Sequence, residues 1–431
     1  MQANQFKFNI ENLIYLLILS IPLCAISGNL LLNLNLILTS LLGTFLIVKN
    51  KNFFFLKENF ELIILCLFFL TFFLITFFFH STSLKLFSTI KFLFFTTTLV
   101  YFFKYNERTL NKIFFFYSIL CLVLIIDVIF QSYFLKNILG NAKNNIFNSS
   151  LYGDEKLAGF HIQFFSFFTI FYLSDLFRKK FLNDITLLLI LIAIPLSIYV
   201  SLNRISIFSY FLGIILYFFL IDKRKKILTL ISIPIFFLIA QSHPDVKIKE
   251  RYLSFFHHSS MIYDKFEKNF NYLKSAESNK KNNELQSEID TNKRYYGSGH
   301  ANLFSVAFYI WKENKFIGIG YKNFFKKCSE LQNLVCSSHP HNIYLDILLT
   351  SGIFSFLLFC SIILMLFTKS LKVVFAKYHN QKLSYCLFIS GFTFFFPLKS
   401  TGSLYASYYG TFIFLLLALI IFHFNKMLKK K

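Results

Sequence analysis

The sequence predicts an all-α protein: a polytopic membrane helix bundle of about twelve transmembrane helices with one large loop domain. Three observations predict it. The chain of 431 residues is 56% hydrophobic and 20% aromatic, more than a soluble domain carries. Its apolar residues fall in repeated blocks of about 15–25, the length that crosses a bilayer as helix. Its basic residues gather in short stretches after every second block, which is the positive-inside pattern. The net charge of +23 therefore belongs to topology, and that distribution argues against nucleic acid as a partner. The 63 phenylalanines against one tryptophan go with abundant Lys, Asn and Ile. That is the bias of an A+T-rich coding sequence, so single phenylalanines say little about function.

Spans are expected near 12–28, 30–48, 61–80, 86–103, 113–134, 160–177, 185–202, 205–221, 227–241, 343–367, 383–399 and 404–423. The first has only Lys7 before it and many spans after it, so it reads as an uncleaved first helix. Pro22, Pro195, Pro234 and Pro397 fall inside spans, where neighbouring helices satisfy the freed backbone groups. Basic loops follow span two (Lys49, Lys51, Lys57), span four (Lys104, Arg108, Lys112) and span six (Arg178, Lys179, Lys180). Others follow span eight (Lys223 to Lys226) and span ten (Lys369, Lys372, Lys377, Lys382), and Lys426, Lys429, Lys430 and Lys431 close the chain. This alternation predicts that these loops and both termini face the cytoplasm. The chain then divides into an N-terminal bundle 1–241 of about nine spans, a loop domain 242–342, and a C-terminal bundle 343–431 of about three.

The same topology sends the loop 135–159, the turn at Arg204, the segment 242–342 and the link 399–403 to the outer face. Within the long segment, 274–293 is polar, charged and aperiodic, and reads as a mobile insert. Leu303, Phe304, Ala307, Phe308 and Trp311 recur at helical spacing. That helix either lies in the membrane interface or packs on the bundle. Gly318 and Gly320 then predict a turn. Five cysteines lie in spans as small apolar residues, whereas Cys328 and Cys336 lie outside. An oxidising outer compartment favours a disulfide between these two, which would clip the approach to His339. A metal site is not expected, although His339 and His341 stand near this pair, because structural zinc favours a short-spaced cysteine pair.

The unusual polar side chains converge on the outer face. His339 and His341 open span ten, and imidazole is the side chain that most readily moves a proton near neutral pH. Arg204 sits between two spans with almost no loop. It either snorkels to headgroups or forks onto phosphate oxygens. Arg294 and His300 precede the helix that ends at Trp311, and Lys399 sits where span eleven emerges. A cation beside a candidate base suggests a phosphorylated lipid substrate. Asp127, inside span five, reads as a paired structural aspartate.

The stretch HPHNIYLDILLTSGIFSF resembles the signature of the O-antigen ligase and polymerase superfamily. That signature is a His-Asn pair, nine residues, a glycine, and a small residue shortly after. His341, Asn342 and Gly352 fit, while Ser355 stands where Gly, Thr or Tyr is more usual. The run SGHANLFSVAFYIWKENKFIGIGYKNF resembles the family's amphipathic helix and Gly-x-Gly turn. Cys328 and Cys336 resemble a cysteine pair of one branch. LNRISIF resembles the segment bearing the family's first arginine, at Arg204. FNSSLYGDEKLAGF resembles an outer loop with a Gly-Asp-Glu core, at Gly153, Asp154 and Glu155. FFPLKSTGSLY resembles the late Pro-to-Gly turn. Two departures stand out. His300 occupies the place of a second arginine, with Arg294 six residues earlier, and Asn203 stands where a glutamate often precedes Arg204.

The resemblance implies a metal-independent membrane glycosyltransferase of lipopolysaccharide biosynthesis, with no cofactor. It would sit in the bacterial inner membrane with its active site and loop domain facing the periplasm. The implied donor is an undecaprenyl-diphosphate-linked glycan. The acceptor is lipid A-core in a ligase, or another lipid-linked glycan in an O-antigen or exopolysaccharide polymerase. His341 would be the catalytic base. Arg204, His300, Arg294, His339, Asn342, Lys399, Asp154 and Glu155 would bind diphosphate or glycan. A secondary transporter is the rival class suggested by the span number. Transporters, however, usually show internal repeats and midplane polar sites, and neither is evident. A scaffold for an envelope complex would be indifferent to His341.

Overall fold

The computed structural model describes residues 9–79, 84–142, 147–153, 155–260, 299–331, 336–376 and 381–429. Asp154, Arg294 and the segment 274–293 lie outside the described residues. The chain folds as helices joined by short links, and the β-structure among the described residues is one isolated bridge, Lys136 with Ala142. Nine of the described helices are long and apolar enough to cross a membrane, from Ile10–Ser27 to Ser407–Lys429. Three expected spans are shorter helices: Ala158–Leu173, Arg204–Leu220 and Gln381–Phe394. At about 1.5 Å per residue these are short for a hydrocarbon core of about 30 Å. Ala158–Leu173 is buried at every position but Tyr172, so its surroundings are other helices.

Several boundaries move from those expected. The helix Gln381–Phe394 stops short of 399, so Pro397 lies in the link beyond it rather than inside a span. Proline disfavours helix in the residue before it and cannot donate a backbone hydrogen bond. The helix Ile343–Phe375 runs two turns past 367. Lys369, in that extension, pairs with Glu61, so the added charge is compensated inside the bundle. Asp127 is fully buried and hydrogen-bonded: Ile138 N donates to it at 2.6 Å and Ser150 Oγ at 2.5 Å. It thereby ties down the loop that follows its helix.

The basic connections meet at one end of the bundle. Glu58 takes Lys104 and Lys429, each at 2.9 Å, and Lys426 pairs with Glu107. Asp175 takes Lys225 and Lys382, each at 3.2 Å. Asn425 Nδ2 reaches Asn59 at 2.9 Å and Glu61 at 3.0 Å. These contacts join the connections after spans two and four to the end of the last helix, and those after spans six, eight and ten to one another. Exposed pairs of this kind contribute only about 0–1 kcal/mol each, so their value is as markers of topology.

At the opposite end the helix Gly299–Glu313 packs on the bundle. Leu303, Val306, Ala307 and Ile310 are buried against Ile319, Phe324, Cys328 and Leu349, while Phe304, Phe308 and Trp311 stay half-buried. Leu303 and Ala307, which helical spacing picked out, thus lie in the packed face. Cys328, on the short helix Phe324–Ser329, is bonded to Cys336 with Cα atoms 5.8 Å apart. That bond closes the segment leading to His339.

The turn after Trp311 is stitched into the long helix Ile343–Phe375, which breaks at Gly352 (φ 71°, ψ −168°). The break frees helix carbonyls and one amide. Leu349 O accepts from Ile319 N at 2.6 Å, Thr350 O accepts from Gly320 N at 3.2 Å, and Ile353 N donates to Lys315 O at 3.0 Å. Gly318 and Gly352 are needed where the two backbones touch. A Cβ on Gly318 would strike Leu349 O, and one on Gly352 would strike Phe316 O.

Candidate active site at one end of the bundle

His341 is the last residue but one before the long helix. Its backbone is left-handed, with φ 55°, a costly state for a side chain other than Gly, Asn or Asp. Neighbours hold it there. Its carbonyl accepts from Thr401 N at 2.8 Å. Asn342 caps the helix: its Oδ1 accepts from Tyr344 N at 3.0 Å and Leu345 N at 3.1 Å. Its Nδ2 donates to Pro397 O at 2.7 Å and Lys399 O at 3.2 Å. An amide side chain has two donors and one oxygen with two lone pairs, so Asn342 is saturated by the fold. It positions His341 and has nothing left for a ligand.

The His341 ring is half-buried, with Nε2 3.2 Å from Ser337 Oγ. The His339 ring lies 4.2 Å away, centroid to centroid, at 49°, and its Nδ1 is 3.0 Å from Ser338 Oγ. Burial lowers the His341 pKa, opposed by a backbone hydrogen bond involving Thr401. The ring is therefore neutral at physiological pH and able to accept a proton.

From His341 a chain of contacts runs to Arg204. Lys399 is buried, and its Nζ donates to Gln163 Oε1 at 2.8 Å, lying 4.8 Å from the Phe394 ring centroid. It faces into the bundle and braces the link against the helix Ala158–Leu173. Gly159, on that helix, touches the turn at 201–203: a Cβ there would meet Ser201 Oγ and Asn203 Cβ. Asn203 is the N-cap of the next helix, accepting from Ser206 N at 3.3 Å. A capping role accounts for asparagine at that position. Arg204 follows as the first helical residue and is half-buried.

Two further cations act on Arg204's surroundings. The pKa of Lys156 is lowered to about 8 by burial and then by Arg204 and Arg251. Lys156 keeps an open face to solvent but stands in a wall of protein atoms. Arg251 is carried on the helix Val246–Ser260, docked by Tyr252, whose hydroxyl donates to Tyr199 O at 3.1 Å with the two rings 4.5 Å apart. Three cations thus share one neighbourhood, a concentration suited to a diphosphate. Sequence reading missed Lys156 and Arg251. Lys156 had a usable signal, being the cation directly after the Gly-Asp-Glu core.

Glu155 is exposed. His300 lies on the helix Gly299–Glu313. Asp346 was also missed. It is buried one turn into the long helix, accepting from Ser403 Oγ at 2.6 Å and Leu404 N at 3.1 Å. An acid inside a membrane span is itself a signal. Among the described residues no three His, Cys, Asp or Glu side chains gather as metal ligands would.

Residues 187–360 match the family model described as O-antigen ligase. The matched stretch takes in Arg204, Arg251, the disulfide and His341, and leaves out Lys156, Gln163 and Lys399. A search of the curated proteins finds no match to the chain.

Proposed function

We propose, for a chain of the O-antigen ligase-like superfamily, that it moves a glycan from an undecaprenyl-diphosphate carrier to an acceptor sugar hydroxyl on lipid A-core. The reaction runs at the periplasmic face of the inner membrane, in a bundle of about twelve spans. The positive-inside rule supports that orientation, since the basic loops collect at the end away from His341. What carries the reading is the convergence of the His341 imidazole and the Arg204–Lys156–Arg251 cations on one end of the bundle. Polar groups so far from the midplane argue against a transporter.

The chemistry follows from those groups. The acceptor oxygen bonds to the anomeric carbon, and its proton passes to His341. The bond to the diphosphate breaks, and its electron pair leaves with the phosphate oxygen. Charge grows there in the transition state, where fixed cations stabilise it. In this reading Arg204 binds the diphosphate directly, Lys156 and Arg251 assist, and Lys399 and Asn342 position. A polymerase of the same superfamily would use the same groups with a lipid-linked glycan as acceptor.

The test is transfer by the purified full-length protein in phospholipid vesicles, supplied with carrier-linked glycan and acceptor. A charge-assisted hydrogen bond contributes about 1.5–3 kcal/mol, so Arg204→Gln should lower kcat/KM about ten- to a hundred-fold. Lys156→Gln should cost less, because Lys156 is more exposed. No transfer by the native protein, or full activity in Arg204→Gln, would overturn the reading. The pH profile gives a second check. His341 has its pKa lowered by burial, so kcat/KM should fall only as pH drops below the ordinary histidine value of about 6.5. An acid limb centred above that value would count against His341 as the base.

A further inference from the structure

A cavity of about 1180 Å³ opens beside His339, among the starts of the helices Asn29–Lys49, Lys91–Tyr105 and Ser407–Lys429. His339, Asp346, Tyr405 and Tyr408 form part of its wall. Two lysines border it. Lys91 Nζ donates to Asn33 Oδ1 and lies 3.3 Å from Ser407 Oγ, which itself donates to Asn33 at 2.7 Å. Those bonds hold Lys91 at the cavity's edge, where three helices meet. Lys322 reaches the same space from the exposed turn after Gly320, with φ 62° and its Nζ 5.3 Å from the Tyr321 ring centroid. The two ammonium groups are close enough to act on each other.

The one carboxylate on this wall among the described residues is Asp346, and Ser403 and Leu404 already hold one of its oxygens. Two cations therefore face the cavity with little acid to offset them. Hydroxyls and amides beside a cationic pair suit a sugar that carries an anionic group. None of this wall is formed by Arg204, Lys156 or Arg251.

We propose that this cavity is the acceptor site, and that Lys91 and Lys322 select an acceptor glycan bearing phosphate close to the sugar that is glycosylated. The proposal rests on the glycosyl-transfer reading and adds to it. The donor diphosphate sits with Arg204 and the acceptor enters beside His339. A phosphorylated lipid headgroup shares the same chemistry, so the test separates the two sources.

The experiment measures equilibrium binding of a phosphorylated lipid-linked core oligosaccharide, without donor, to the full-length protein in phosphatidylcholine nanodiscs. The phosphatase-treated oligosaccharide is measured beside it. The native protein should bind the phosphorylated form at least ten-fold more tightly. Lys91→Gln and Lys322→Gln should each erase most of that difference, Lys91→Arg should retain it, and the donor KM should not move. Lys322 lies on the surface, so its variant stays informative if Lys91→Gln fails to fold. Equal affinity of the native protein for both forms overturns the proposal, as does absent binding or a preference that survives in Lys322→Gln. So does a preference lost when phosphatidylglycerol replaces phosphatidylcholine in the disc, which would mean that the lysines hold a lipid headgroup. Transfer failing while this binding persists overturns the proposed function instead.

Discussion

Glycan transfer should fall by about 10²–10⁴-fold in His341→Ala, the range a positioned general base supplies. The protein should remain folded, because the contacts that fix this corner come from the backbone of His341 and from the saturated amide of Asn342. Alanine tolerates a left-handed backbone poorly, at a cost of about 1–2 kcal/mol. His341→Asn is the better partner variant, since asparagine accepts φ 55° but cannot act as a base near neutral pH. Both variants should lose transfer alike and keep the thermal transition of the native protein to within a few degrees. In the native host the glycolipid profile then separates the proposed ligase from the alternative polymerase. A ligase defect leaves bare core and accumulated carrier-linked polymer, whereas a polymerase defect leaves core capped with single repeats. An unchanged profile in both variants would remove His341 from the mechanism and favour a scaffold.

Much of the bundle was legible because membrane helices announce themselves by length and apolar composition, and basic loops by alternation. Each expected span has a helix near it, and the basic connections between them meet in the ion pairs of Glu58, Glu107 and Asp175. The ends were less legible. Phe394 and Lys399 were read as one span because the sequence stays apolar past the point where Pro397 and the contacts of Asn342 end the helix. Spacing left open whether Gly299–Glu313 lies in the membrane interface or packs on the bundle, because both of its faces are apolar, and only the partner at Leu349 decides which is covered. Within Ala158–Leu173 no face could be read, since almost every position is buried.

The site was legible where its chemistry is carried by rare residues in a compact signature, as at His341 and Gly352. It was not legible where the residues are individually ordinary. Gln163 and Lys399 are 236 positions apart, and nothing in either neighbourhood points to the other. Lys156 and Arg251 are single members of a very basic sequence. They gain meaning only when the fold sets both beside Arg204. Asn342 and Lys399 illustrate the converse. Both were read as ligands from their position, and both have their polar atoms engaged by the protein.

Gly352→Ala should be the most damaging small substitution in the long helix. A glycine with φ 71° and ψ −168° occupies a region that is essentially closed to other residues, at about 1–3 kcal/mol of strain. The added methyl would also meet the Phe316 carbonyl. The backbones would have to part, and the bonds from Ile319, Gly320 and Ile353 would go with them, at about 0.5–1.5 kcal/mol each. The sum, about 3–7 kcal/mol by those figures, is large beside a typical stability of about 5–15 kcal/mol. The yield of folded protein in detergent and its thermal transition should both drop sharply. Where some protein survives, transfer should still be impaired. Asn342 caps the short helical stretch that Gly352 ends, so backbone movement at the break bears on His341 at the other end of that stretch. Ile353→Val, one residue away but with an ordinary helical backbone, should do neither. A Gly352→Ala protein that melts with the native one and transfers glycan normally would mean that the strap 315–320 is not what holds the site in register.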